Sequence, residues 1–242
     1  MLMLFGCCLE TEIPMLVYEY ADNGVLSNYI HHHQQLLPWE SRLKVAKEIA
    51  DAMAYLHMGM SKITIHWNIK FSNIFLDKNY VVKLSDFSLA VSIPSGKEYV
   101  ETQLRGTVGY VTPECFVSAR LTERFCQEKV GQIQILGSAS TTIQSDVCLA
   151  EDVPFLRRVI MEAAEKYMGP EIMLEGCANQ LMACTELAWK CLQNNAEERP
   201  TMKDAAQELR RIIGFQSISQ MSSTSALSIP SLLIACKPSI SI

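Results

Sequence analysis

Between Ile65 and Ser88 the chain reads IHWNIKFSNIFLDKNYVVKLSDFS. His66, Lys70, Asn73 and the pair Asp86-Phe87 follow one another there at short intervals, with two strand-like runs separating Asn73 from Asp86. These residue types suit phosphoryl transfer, a reaction that needs positioning and charge neutralisation more than covalent chemistry. A carboxylate takes the proton of the attacking hydroxyl, a lysine steadies the moving phosphoryl group, and an asparagine and an aspartate hold magnesium against the phosphates. On this stretch Lys70 would serve the phosphoryl group, and Asn73 and Asp86 the metal. Any one of them alone is an ordinary loop residue; the joint spacing carries the reading.

The rest of the chain must position this stretch. Of its 242 residues about half are hydrophobic and 19% are charged, enough apolar side chain for a packed core. The net charge of -5 offers no basic footprint for nucleic acid and no polybasic membrane anchor. No apolar run approaches the ~20 residues of a membrane span, and the apolar start Met1 to Cys8 lacks the basic flank of a signal peptide. The nine cysteines include no C-x-x-C pair, so reduced, buried thiols in a cytoplasmic protein are expected rather than disulfides or a zinc site. The run His31-His32-His33 reads as a solvated loop, with weak metal binding as its alternative.

Two apolar runs in Met1 to Tyr20 predict a β-hairpin, and Ala21-Asp22-Asn23-Gly24 a turn. Val25 to His31 reads as a short helix. Pro38 to His57 is the strongest helix: Leu43, Ala46, Ile49, Ala50, Met53 and Leu56 recur on one face, and Gly59 can end it. Asn73 to Leu76 and Val81 to Leu84 read as strands around an Asp77-Lys78-Asn79 turn. Leu89 to Glu114 is polar and reads as an ordered loop outside the core, and 121–144 as a surface insertion. Further helices are predicted over Phe155 to Tyr167, over Ala178 to Gln193 with Leu181, Cys184, Leu187, Ala188 and Cys191 inward, and from Pro200 to Ile213 with Gly214 as the stop. The Ser-rich stretch 214–242 reads as disordered. The sum is an α+β chain, a hairpin followed mainly by helices.

With these motifs in place the chain resembles the protein kinase family, over most of Met1 to Ile213. The pattern H-R-D-L-x-x-x-N followed by D-F-G keeps its register at His66, Lys70, Asn73 and Asp86. LVYEYADNGVL (Leu16 to Leu26) looks like the last small-lobe strand and the hinge. The resemblance implies a gatekeeper at Tyr18 and an adenine against the backbone of Glu19, Tyr20 and Ala21. GTVGYVTPE (Gly106 to Glu114) looks like the end of an activation segment. It implies that Thr107 bonds to the catalytic loop and that Glu114 pairs with buried Arg199. Asp146 is the candidate for a buried aspartate that ties the catalytic loop, with surface placement as its alternative. ATP and magnesium are the implied cofactors. LFGCCLETEIPMLVYEY, LPWESRLKVAKEIADAMAYLH, SNIFLD, KLSDFSLAVSIP and ELAWKCL are similar to plant receptor-like kinases of the wall-associated-kinase-like group. DFSLAVSIP with an altered catalytic loop resembles a cytoplasmic pseudokinase subgroup. That likeness implies an adaptor role beside immune receptors or other kinases, in the cytoplasm or at the inner face of the plasma membrane.

Three positions depart from the family pattern. Asn68 stands where the catalytic base would be, and an amide cannot accept a proton as a carboxylate does. Trp67 replaces an arginine, and Ser88 a glycine. The chain also holds no G-x-G-x-x-G loop and no strand supplying the nucleotide lysine. The expected organisation is a partial kinase domain over 1–213. Residues 1–24 form a truncated small lobe of hairpin and hinge, and 25–213 a mainly helical large lobe, followed by the tail 214–242. Three readings follow: a catalytically impaired pseudokinase acting as scaffold, an active Ser/Thr kinase whose small lobe continues upstream, or a truncated fragment without function.

Overall fold

The computed structural model describes residues 1–31, 37–102, 119–124, 177–191, 193 and 195–221. Thr107, Glu114, Asp146, His32, His33, the stretch 125–144, the helix expected over Phe155 to Tyr167 and the chain beyond Met221 lie outside the described residues.

The chain opens with the expected antiparallel hairpin, β1 (Leu4–Cys8) and β2 (Met15–Tyr18). Side chains on both faces of this hairpin are exposed, Phe5, Met15, Leu16 and Val17 among them. The turn after it holds Gly24 at φ 63, a left-handed conformation that glycine adopts without a Cβ clash. Backbone bonds from Asn23 to the Leu76 carbonyl and from Leu26 to the Ile74 carbonyl dock this turn on β4 (Ile74–Leu76). The short helix α1 (Ser27–His31) follows.

The long helix α2 (Trp39–Ala54) starts after Pro38, whose missing N–H is no loss at a helix start. All six residues predicted for its apolar face are buried. They pack against α3 (Cys177–Cys191) and α4 (Met202–Met221) in the main core. Burying one such aliphatic side chain is worth about 1.5–3 kcal/mol, so this face fixes the large helical body. From α3 the predicted inward residues Leu181, Cys184, Leu187, Ala188 and Cys191 are all buried, and from α4 so are Ala205, Leu209 and Ile212. Gly214 does not end α4, which continues to Met221. A glycine inside a helix costs only about 1 kcal/mol, too little to stop a helix already anchored by its core face. The expected tail from 214 thus overlaps helix over 214–221, and its remainder lies outside the described residues.

The segment after the site also differs from expectation. Within the supposed loop lie β6 (Val91–Ser92) and β7 (Tyr99–Glu101). They pair with β3 (Thr64–Ile65) and with β8 (Arg120–Thr122), where a patternless insertion was expected. Ile65, Trp67, Ile93 and Leu121 form a second, smaller core beneath them. No helix among the described residues is long and apolar enough to cross a membrane.

Candidate functional site

β4 and β5 (Val82–Leu84) set the geometry of the site. Ile74 pairs with Leu84 at the end of the ladder. The next residues outward, Asn73 and Ser85, therefore face each other. The Ser85 N–H and hydroxyl both donate to the Asn73 carbonyl, at 2.9 and 3.0 Å. This register brings Asn73, at the end of the short 3-10 turn Phe71–Asn73, beside Asp86. Asp86 adopts φ 59 and ψ 67, a left-handed conformation that aspartate tolerates better than most residues.

The Asp86 carboxylate is surrounded by donors. Asn68 Nδ2 donates to Oδ2 at 2.6 Å and Asn73 Nδ2 to the same oxygen at 3.1 Å. The Ser88 hydroxyl donates to Oδ1 at 2.6 Å. The Ser88 hydroxyl is the foremost cause holding this carboxyl below its ordinary range; the Lys70 charge adds attraction, and partial burial opposes them. Both amide orientations are fixed by their surroundings. Reversing Asn68 would set its carbonyl oxygen against a carboxylate oxygen, and Asn73 Nδ2 serves a second acceptor, the Asn68 carbonyl, at 3.0 Å.

His66 and the two residues after it lie in the interior. The His66 ring accepts the Asn68 backbone N–H at Nδ1, at 3.3 Å, which leaves Nε2 to donate to the Ser85 carbonyl at 2.9 Å. The same ring packs on Phe87 with centroids 4.5 Å apart. Trp67 is 1% exposed and holds a left-handed φ of 56. Its indole fills the second core, and its N–H is buried without a hydrogen-bond partner among the described residues. Lys70 is half-buried at the start of the 3-10 turn, and its carbonyl accepts the Asn73 N–H at 2.9 Å.

The hinge residues lie at the edge of this group. Tyr18 ends β2, Tyr20 is fully open to solvent and Ala21 is buried. Glu19 is drawn inward: its carboxylate accepts the Met3 N–H at 2.7 Å and sits 3.2 Å from Lys83 Nζ, and its own N–H donates to the Met3 carbonyl. Those bonds, the Met3 N–H first, lower its pKa. Arg199 is buried, as expected of an ion-pair residue, and donates to the Gln193 carbonyl at 2.6 Å. Arg124 braces the same turn through the Glu197 and Arg199 carbonyls.

A magnesium ion needs oxygen ligands with lone pairs to give. A carboxylate has about four lone-pair sites; on Asp86 three donors already engage both oxygens, and Asn73 turns its N–H rather than its oxygen to the carboxylate. Among the described residues, no group of three or more His, Cys, Asp or Glu side chains is placed to hold a metal ion. The residues present therefore do not fit magnesium at Asp86. The sequence alone marked Asn68 and Ser88 as losses, of a base and of a flexible backbone. Their role as donors to Asp86 was missed, although an amide and a hydroxyl flanking a carboxylate are a readable signal.

Residues 1–125 match the family profile of protein tyrosine and serine/threonine kinases. The chain belongs to the protein kinase family. It is similar to Serine/threonine-protein kinase ZRK1 of Arabidopsis thaliana, with 36% identity over 224 residues, 87% of this chain and 64% of the relative. It is similar as well to Non-functional pseudokinase ZRK2 of the same plant, at 34% identity over 87% of this chain and 62% of the relative. Wall-associated receptor kinase 1, also from Arabidopsis thaliana, is 35% identical over 86% of this chain and 29% of its own length. The chain thus spans less than two thirds of these curated relatives.

Proposed function

We propose that the chain is a catalytically impaired kinase domain of the plant receptor-like type, a pseudokinase that acts as an adaptor or scaffold in cell-surface or immune signalling. One observation carries this reading: position 68 presents an amide N–H to Asp86 at 2.6 Å where a catalytic base would stand. General-base assistance is typically worth 10²–10⁴-fold in rate, and no other carboxylate takes that place among the described residues of the site. The partner class is an immune receptor or a second kinase, by analogy with the pseudokinase subgroup the chain resembles. ATP would meet the hinge at Tyr18 to Ala21. Glu114 is the proposed partner of Arg199, Thr107 of the catalytic loop, and Asp146 of the loop backbone. The proposed location is the cytoplasm, with the inner face of the plasma membrane as the alternative.

The retained contact of Asn73 with Asp86 favours a second reading, an active Ser/Thr kinase. Co-expression with a catalytically competent wall-associated kinase separates the two. The adaptor reading expects a stable complex that forms equally with the Asp86→Ala variant. An active kinase would instead phosphorylate a catalytically dead partner and lose that activity with Asp86→Ala.

A further inference from the structure

We infer that Asn68 and Ser88 together replace the divalent cation at Asp86, so that this corner of the site is closed by hydrogen bonds and takes no metal. The inference rests on the pseudokinase reading and deepens it. Of the three donors on Asp86, one would exist whatever residues stood at 68 and 88: the Asn73 amide. The other two, at 2.6 Å each, come from the two altered positions. An aspartate at 68 would face Asp86 with like charge, and a cation would be needed to hold the two together. An asparagine of the same shape removes that repulsion and supplies an N–H. A glycine at 88 would leave one Asp86 oxygen open; the serine hydroxyl closes it. The two substitutions act on opposite oxygens of one carboxylate. These donors favour the ionised form of a partly buried Asp86 held in a left-handed backbone.

Manganese alone, followed by water-proton relaxation on the full 242-residue chain, tests this. Wild type is expected to bind no more Mn²⁺ than Asp86→Asn, a near-isosteric variant that also controls for binding at the histidine run. The double variant Asn68→Asp with Ser88→Gly is expected to gain a site, binding Mn²⁺ about tenfold or more tighter as the ligand charge rises. Mn²⁺ binding by wild type that disappears in Asp86→Asn would overturn the inference, and needs no folded double variant to be seen. Such binding without phosphate transfer would leave the pseudokinase reading standing. Phosphate transfer by wild type would overturn that reading instead.

Discussion

The Asn68 side-chain nitrogen lies 2.6 Å from Asp86 Oδ2, joining two positions 18 residues apart. The bond needs Asp86 ionised, which gives it a pH dependence. Its folded pKa is depressed, so the contribution is fully present above the ordinary aspartate value of about 3.9. It is lost as pH falls through the lower, folded value. Asp77, Asp204 and Glu208 are depressed as well and add to the same acid loss. The difference between wild type and Asp86→Asn isolates the one group. Thermal midpoints are expected to fall more steeply for wild type than for the variant below about pH 4.

Trp67 fills the small core with an indole whose N–H has no partner among the described residues. Truncation and isosteric replacement should therefore differ sharply. Trp67→Ala is expected to cost about 3–5 kcal/mol in urea unfolding. Trp67→Phe should cost less than about 1.5 kcal/mol, because losing volume is offset by removing a buried orphan donor. Equal costs for the two would contradict this placement of the indole.

Arg42 is wholly buried on α2, and only its Nε is satisfied, by the Leu37 carbonyl at 2.8 Å. Both terminal nitrogens lack partners among the described residues, and burial pulls the guanidinium pKa down to about 10. A buried cation with no counter-charge is a burden on stability. Arg42→Met is expected to leave stability unchanged or to raise it by about 1–3 kcal/mol, measured by denaturant unfolding. A loss of similar size would show that Arg42 has a stabilising role the bonds above do not capture.

Cys7 is exposed on the hairpin, whereas Cys184 and Cys191 are buried in the helical core. Burial pushes the Cys184 thiol well above its ordinary pKa. A thiol reagent at neutral pH should modify Cys7 in the native protein and reach Cys184 and Cys191 only after denaturation. Rapid native labelling of Cys184 would contradict the packing of α3 on α4.

The helical body was legible because its signals are long. Leu43, Ile49 and Met53 repeat over about three turns of α2, and Leu181, Cys184 and Ala188 over about two of α3, so each face declares itself. The strands β4 and β5 were legible through the turn between them. The strands β6, β7 and β8 were not: two or three residues carry no period, and their pairing is decided by the Trp67 core, which joins residues far apart in sequence. The stop at Gly214 failed because core packing outweighs one residue's helix propensity. At the site, register fixed where His66, Asn73 and Asp86 would stand. What Asn68 and Ser88 do depends on side-chain directions at the open end of the β4–β5 pair, which no linear spacing reports.

Transfer of labelled γ-phosphate tests the central claim most directly. The purified chain would be given ATP, magnesium and a generic protein substrate, with Asp86→Ala run beside it. The closed Asp86 corner and the missing base at position 68 predict incorporation indistinguishable between the two. Robust incorporation by wild type, abolished in Asp86→Ala, would contradict it.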